Sequence, residues 1–277
     1  MVTEVGVDGA TLRDAIRSLG LAGSAVCVHS SLRSFGHLIG GADALLDTFL
    51  DEGCTVLVPA FSWEAFAVPA PAGSRPNRNG TDYSWDPSPT SCRPFSISSR
   101  EINLDEMGRV PAAVLGRDLA VRGDHPLCSF AAIGAEAAAL VTGQTWSDVY
   151  APLQVLAERG GHVLLIGVDL TAMTMLHLAE CDAGREPFRR WAKRDEDAVQ
   201  AVPVGGCSDG FNQLDRKLRA CRRARTVGPS HWAAYGASRT LARATDVIRR
   251  DPDITVCEAR CERCLDARDG GPIIPTP

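Results

Sequence analysis

Short apolar runs alternate with segments whose apolar positions recur every three to four residues, and the alternation is clearest in the first two thirds of the chain. Leu12, Ile16 and Leu19 share one helical face, with Thr11 placed to cap it. Ala25-Val26-Cys27-Val28 reads as a buried strand ending at His29, and helical spacing returns from Ala42 to Leu50 behind Gly40-Gly41. Thr55-Val56-Leu57-Val58 is a second buried strand, stopped by Pro59. Strand, helix and strand within roughly 30 residues make a βαβ unit, so a parallel sheet is the expected frame. From Ser62 to Leu104 the periodicity stops. Pro69, Pro71, Pro76, Pro87, Pro89 and Pro94 break the segment up, which is of the length used for lids and binding loops. It carries Trp63, Tyr83 and Trp85, and the acidic residues Glu64, Asp82 and Asp86.

Regularity resumes with an amphipathic segment from Glu106 to Leu115, a strand within Leu127 to Ile133, and helices at Ala135 to Val141 and Pro152 to Arg159. The strand Val163-Leu164-Leu165-Ile166 then runs into Gly167 and a helix bearing His177 and Glu180. Past Glu186 the chain is more charged; helices are expected at 212–221 and 234–250 and a short strand at 254–257. The pattern fits a single domain over 1–277, with an insertion at 62–104 and an α/β unit to about Asp182. Residues 183–277 form an interlocked second part with a cysteine-rich end.

Composition narrows the function classes. With 29 basic and 34 acidic residues the net charge is −5, and the basic clusters Arg189-Arg190 and Arg222-Arg223-Arg225 are short. Nucleic-acid binding driven by net charge is not expected. No apolar stretch approaches the roughly 18 residues of a membrane span, and Met1 to Ala10 does not read as an export signal. The expectation is a cytoplasmic protein whose ten cysteines are not a disulfide framework.

Two constellations can carry chemistry. A His and a Glu three positions apart on a helix lie one turn from each other on one face. The carboxylate can then orient the imidazole and stabilise its protonated form, as a general base requires. In an open α/β sheet such groups gather where strands end. The second is the loop His29-Ser30-Ser31-Leu32-Arg33 with Gly40-Gly41 opening the next helix. Hydroxyls, backbone N–H groups, a cation and a helix start suit a pyrophosphate, although neither a GxGxxG nor a Walker loop is present.

Val28-His29-Ser30-Ser31-Leu32 with Gly40-Gly41-Ala42 resembles the opening signature of the aminoglycoside 3-N-acetyltransferase family. Met107-Gly108, His125-Pro126 and Ser129-Phe130-Ala131-Ala132-Ile133-Gly134 resemble its middle block, and Gly167-Val168 with Leu176-His177-Leu178-Ala179-Glu180 its third. Cys207-Ser208-Asp209-Gly210-Phe211 is similar to a segment of some members. The resemblance implies an α/β/α three-layer sandwich with a central, mostly parallel sheet, unrelated to the common N-acetyltransferase superfamily. It implies acetyl-coenzyme A as cosubstrate and a primary amine, typically of an aminoglycoside antibiotic, as acceptor, hence a role in antibiotic resistance. By position, His177 becomes the base and Glu180 its orienting partner, while His29, Ser30, Ser31, Leu32, Arg33, Gly40 and Gly41 fall in the coenzyme loop. His125 reads as a turn-shaping residue. A homodimer is an allowed assembly.

Two departures from the family pattern bear on the chemistry. The loop Thr145-Trp146-Ser147-Asp148-Val149-Tyr150-Ala151-Pro152 lacks the His that many members carry, and Phe61-Ser62-Trp63-Glu64 offers a single acid. Some relatives hold a metal with such residues, so no catalytic metal is expected here. A polycationic acceptor calls for carboxylates, for which Glu64, Asp82, Asp148 and Asp182 are the candidates, with Asp86 beside them. Near the C-terminus, Cys257, Cys261 and Cys264 form a Cys-x3-Cys-x2-Cys run that Cys207 can complete as a structural zinc site, four free thiols being the alternative. Two other functions stay open: acetylation of an amine on a biosynthetic intermediate, or a non-catalytic, zinc-stabilised binding protein with this fold.

Overall fold

Ten strands make two sheets in the computed structural model, which describes residues 6–83 and 93–274. Trp85, Asp86, Pro87 and Pro89 lie outside the described residues. In chain order the strands are β1 (Ala25–Ser30), β2 (Thr55–Pro59), β3 (Ala67–Val68), β4 (Val121–Arg122), β5 (Phe130–Ile133), β6 (His162–Ile166), β7 (Phe188–Lys193), β8 (Val199–Val204), β9 (Arg222–Val227) and β10 (Ser230–Gly236). The larger sheet has the order β4-β5-β2-β1-β6-β10-β9 and the smaller one β3-β7-β8.

At the centre of the larger sheet β2, β1 and β6 are parallel, while β5 and β10 pair antiparallel on either side. Because β4 and β9 are again antiparallel to β5 and β10, five of the seven strands (β4, β2, β1, β6, β9) share one direction. Alternate side chains enter opposite layers, as strand geometry requires. Cys27, Leu57, Val163 and Leu165 pack with the helices Ala137–Val141, Ala151–Glu158, Met175–Asp182 and Ala237–Arg250. Val26, Val28, Val56, Val58, Leu164 and Ile166 pack with Gly9–Ser18, Gly41–Asp51 and Arg109–Leu115. The result is the three-layer α/β/α sandwich the sequence pointed to.

The described parts of the insertion, 62–83 and 93–104, are tied to the rest of the chain. Buried Arg122 donates to the carbonyls of Ala60, Ser99 and Glu101 and to the hydroxyls of Ser62 and Ser129. Its guanidinium lies 5.2 Å from the Phe95 ring centroid. Burial lowers it to about 10, so it stays charged at neutral pH and several dipoles replace a carboxylate partner. Farther along, β3 pairs with β7, and Asn79 exchanges hydrogen bonds of 2.7 and 3.0 Å with the backbone of Arg189. The insertion and the chain after Glu186 thus build the smaller sheet together.

Four sequence expectations need correction. The first helix is capped by Asp8 and not by Thr11: Asp8 Oδ1 accepts from the Thr11 N–H at 2.9 Å. The segment 254–257 is not a strand: Pro252–Thr255 forms a 3₁₀ turn, as proline at its start favours. The helix expected from 234 begins at Ala237, because 230–236 completes the large sheet against β6. The helix expected at 212–221 is broken into turns at Phe211–Leu214, Asp215–Leu218 and Arg219–Cys221. Arg222-Arg223-Arg225, which read only as a charge cluster, lies on β9, an edge strand where charge discourages further pairing.

Candidate active site

A cavity of about 690 Å³ opens where the three parallel strands end. Val28, His29 and Ser30 of β1, Pro59 at the end of β2 and Val168 beyond β6 all line it. This is the place at which open α/β sheets bind ligands. Gly167 makes the exit from β6 feasible. Its φ is +62°, and a Cβ there would run into the Ser34 side chain. Asp169 then caps the turn Leu170–Ala172, accepting from Thr171 N–H at 3.0 Å and from Asn212 Nδ2 at 2.8 Å. The helix Met175–Asp182 follows with Leu176 and Ala179 fully buried, which turns His177 toward the cavity.

The His177–Glu180 pair has the geometry its spacing predicts: Nδ1 and Oε2 are 2.8 Å apart, with side chains only 12% and 9% exposed. Oε1 of the same carboxylate accepts from Arg185 Nη1 at 2.6 Å. Arg185 donates further to Thr255 Oγ1 (2.7 Å) and to the Pro252 carbonyl (2.6 Å). With Nδ1–H directed to Glu180, Nε2 is left as the lone-pair nitrogen. The imidazole sits between Phe211, 4.8 Å away, and Tyr150, with which it stacks at 6.4 Å. Burial pushes the Tyr150 phenol well above its ordinary value, so it stays neutral.

Gly205 faces this group. A Cβ there would lie 3.1 Å from His177 Nε2, 2.9 Å from its Cδ2 and 2.9 Å from the Tyr150 hydroxyl. Gly205→Ala should therefore displace the imidazole and lower kcat/KM by about a hundredfold. Thermal melting should move little, because the glycine lines an open cavity. Wild-type turnover in this variant would show that Nε2 needs no free space there.

His29 is buried on the cavity wall, 3.6 Å from Cys27 Sγ, and burial pushes its imidazole down to about 4. Of the proposed coenzyme loop, His29 and Ser30 line the cavity, whereas Ser31, Leu32, Arg33, Gly40 and Gly41 lie outside its lining, with Arg33 and Gly40 exposed. Gly40 takes a φ of +78° and starts the eleven-residue helix Gly41–Asp51. His125 is fully buried; its Nδ1 accepts from the N–H groups of Leu127 and Cys128, at 3.4 and 2.9 Å. Burial holds it at about 4, the turn-shaping state its sequence context suggested.

The acidic candidates do not converge. Glu64, Asp82 and Asp148 are exposed and outside the cavity lining, and Asp182 lines a separate groove with Gln154, Ser238 and Arg249. Two carboxylates missed from sequence, Glu106 and Asp209, do line the cavity. Burial and, after it, Glu64 raise Glu106 from its ordinary value. Glu106 directly precedes the family-like Met107-Gly108 and Asp209 lies within Cys207-Ser208-Asp209-Gly210-Phe211, and those positions were the available signal. Arg185 gave no such signal, since its role depends on chain folding back over eight residues from His177. The four cysteines, by contrast, are gathered: the sulfurs of Cys207, Cys257, Cys261 and Cys264 all lie within 4.8 Å of one another.

A pocket at strand ends, with a buried carboxylate holding an imidazole against it, is the arrangement of an α/β enzyme site. The sequence profile of the aminoglycoside 3-N-acetyltransferase family matches residues 27–249, and the chain belongs to that family of acyltransferases. It is 32% identical over 235 residues to aminoglycoside N(3)-acetyltransferase VIII of Streptomyces fradiae, covering 82% of this chain and 73% of that one. Against aminoglycoside N(3)-acetyltransferase VII of Streptomyces paromomycinus it is 32% identical over 266 residues, covering 84% and 86%. Among solved structures, aminoglycoside acetyltransferase AAC(3)-IVa superposes with a TM-score of 0.76 at 25% identity, over 98% of this chain and 100% of that one. A variant of that enzyme was solved in complex with apramycin (TM-score 0.72, 25% identity, 95% and 100% covered). No helix among the described residues is long and apolar enough to cross a membrane.

Proposed function

We propose that this chain transfers the acetyl group of acetyl-coenzyme A to a primary amine of an aminoglycoside-type antibiotic, at the 3-amino group of the deoxystreptamine ring. The observation that carries the reading is the row Arg185–Glu180–His177, ending at a cavity of about 690 Å³ in a chain of this family. The apramycin complex of a relative supports the acceptor class. His177 Nε2 takes a proton from the amine as its nitrogen attacks the thioester carbonyl. The C–N bond forms, the C–S bond breaks, and coenzyme A leaves as thiolate, which takes up a proton. Glu180 holds the imidazole in the tautomer that leaves Nε2 free and stabilises the imidazolium that results. Thiolate is a good leaving group, so one base and accurate positioning supply most of the needed rate.

In this reading the coenzyme runs over the loop at Ser31 and Arg33 and the start of the Gly41–Asp51 helix, with its thioester end entering past His29 and Ser30. The acceptor's ammonium groups meet Glu106 and Asp209. Burial and, after it, Glu64 raise Glu106 from its ordinary value, and a bound cation would offset both. The experiment is a thiol-release assay against a panel of amines. Coenzyme A release with gentamicin, kanamycin or apramycin is expected, together with a raised coenzyme KM in the double variant Ser31→Ala, Arg33→Ala. Release only with amines outside the aminoglycosides would move the acceptor to a biosynthetic intermediate. An unchanged coenzyme KM in the double variant would remove the loop from the docking path.

A further inference from the structure

We infer that Cys207, Cys257, Cys261 and Cys264 bind one structural Zn²⁺ that pins the cavity wall carrying Gly205 to Asp209 onto the C-terminal segment. Four thiolates around zinc at about 2.3 Å in a tetrahedron have sulfur–sulfur edges of about 3.8 Å. The observed Cys207–Cys257 and Cys257–Cys264 separations, 4.0 and 3.5 Å, straddle that value, and no pair exceeds 4.8 Å. None of the four is in a disulfide. Cys207 and Cys264 are buried while Cys257 and Cys261 are partly exposed, which closes the inner side of the site and leaves an entry path. The Cys257 N–H points at Cys264 Sγ at 3.5 Å, the kind of backbone donor that supports a bound thiolate. Tetrahedral sulfur with no open position is the mark of a structural site.

Local structure explains how ligands 50 residues apart meet. Cys207 follows β8 after two glycines, Cys257 follows the Pro252–Thr255 turn, and Cys261 and Cys264 stand at the start of the helix Glu262–Arg268. Gly210 lets the two segments touch, since a Cβ there would collide with the Thr255 carbonyl. Arg263 donates to the Gly206 carbonyl at 3.2 Å and lines the cavity together with Cys207, Ser208 and Asp209. Zinc replaces four thiol protons, which pass to solvent. One of them is the proton Cys207 directs to Asp209 Oδ2 at 3.4 Å, so metal uptake frees that carboxylate on the cavity wall.

The metal assignment stands apart from the proposed reaction; its effect on the acceptor rests on that reading. Metal analysis of the purified full-length chain should find one zinc per chain, released by a mercurial thiol reagent. Cobalt replacing zinc should give the intense d–d absorption of a tetrahedral thiolate site. Cys261→Ser should lose the metal, whereas Cys221→Ser, outside the cluster, should keep it. In Cys261→Ser, kcat/KM for the amine should fall by about a hundredfold while coenzyme affinity holds. Metal-free protein that takes up neither zinc nor cobalt, a stoichiometric iron content, or a Cys257–Cys264 disulfide would each overturn the assignment. Zinc retained in a chain that acetylates no aminoglycoside would overturn the acceptor reading alone.

Discussion

His177→Ala should lower kcat by about 10²- to 10⁴-fold, the range that general-base catalysis supplies, with coenzyme binding by calorimetry essentially unchanged. Two structural facts make the test clean. The side chain is only 12% exposed yet lines an open cavity, so truncation enlarges a space that already exists rather than hollowing the core. Glu180 does not lose all its partners either, because Arg185 still holds Oε1 at 2.6 Å. The variant should fold, which circular dichroism and thermal melting will check. His177→Gln sharpens the result: an amide can still donate to Glu180 but has no basic nitrogen for the amine, so it should be as slow as alanine. If either variant turned over within about tenfold of wild type, the general-base role of His177 would have to be given up.

The parts of the molecule legible in sequence are those in which chemistry and local periodicity coincide. The βαβ opening could be read because β1 and β2 are buried on both faces and therefore appear as continuous apolar runs. The His177–Glu180 hydrogen bond follows from helical spacing alone, needing no knowledge of the rest of the chain. What sequence hid is long-range. β9 and β10 join the large sheet from the far end of the chain, and β9 is an edge strand exposed from Arg223 to Thr226, so it shows neither a buried run nor an apolar alternation. The carboxylates chosen from sequence were exposed ones in or near loops. Those facing the cavity, Glu106 and Asp209, arrive there by folding of the 104–115 and 205–211 segments over the strand ends. The cysteine cluster lay between these cases. Three ligands were suggested by spacing, and Cys207 was a choice among the remaining thiols that the fold places with them.

Arg185→Met should be the most destabilising single change near the site, and its consequence should extend to catalysis. The guanidinium is 7% exposed and makes three hydrogen bonds of 2.6 to 2.7 Å, to Glu180, Thr255 and the Pro252 carbonyl. Removing it leaves a buried carboxylate held by His177 alone on its other oxygen and strands two acceptors on the turn before Cys257. Breaking a buried pair in this way costs roughly 3–5 kcal/mol, which for a chain of this size lowers Tm by about 10 °C. Arg185 touches neither amine nor coenzyme in the proposed arrangement, so it is a positioning residue. Its loss should lower kcat by letting the Glu180 carboxylate and the imidazole turn together, while coenzyme KM holds. Arg185→Lys should recover part of the stability but less of the rate, because an ammonium cannot span Glu180, Thr255 and Pro252 in one plane. Adding Glu180→Gln to Arg185→Met removes the stranded charge, so the double variant should melt higher than the sum of the two single losses predicts. Strict additivity of the two losses would mean that the carboxylate and guanidinium act independently. The row from Arg185 through Glu180 to His177 would then be an accident of packing rather than the support of a base.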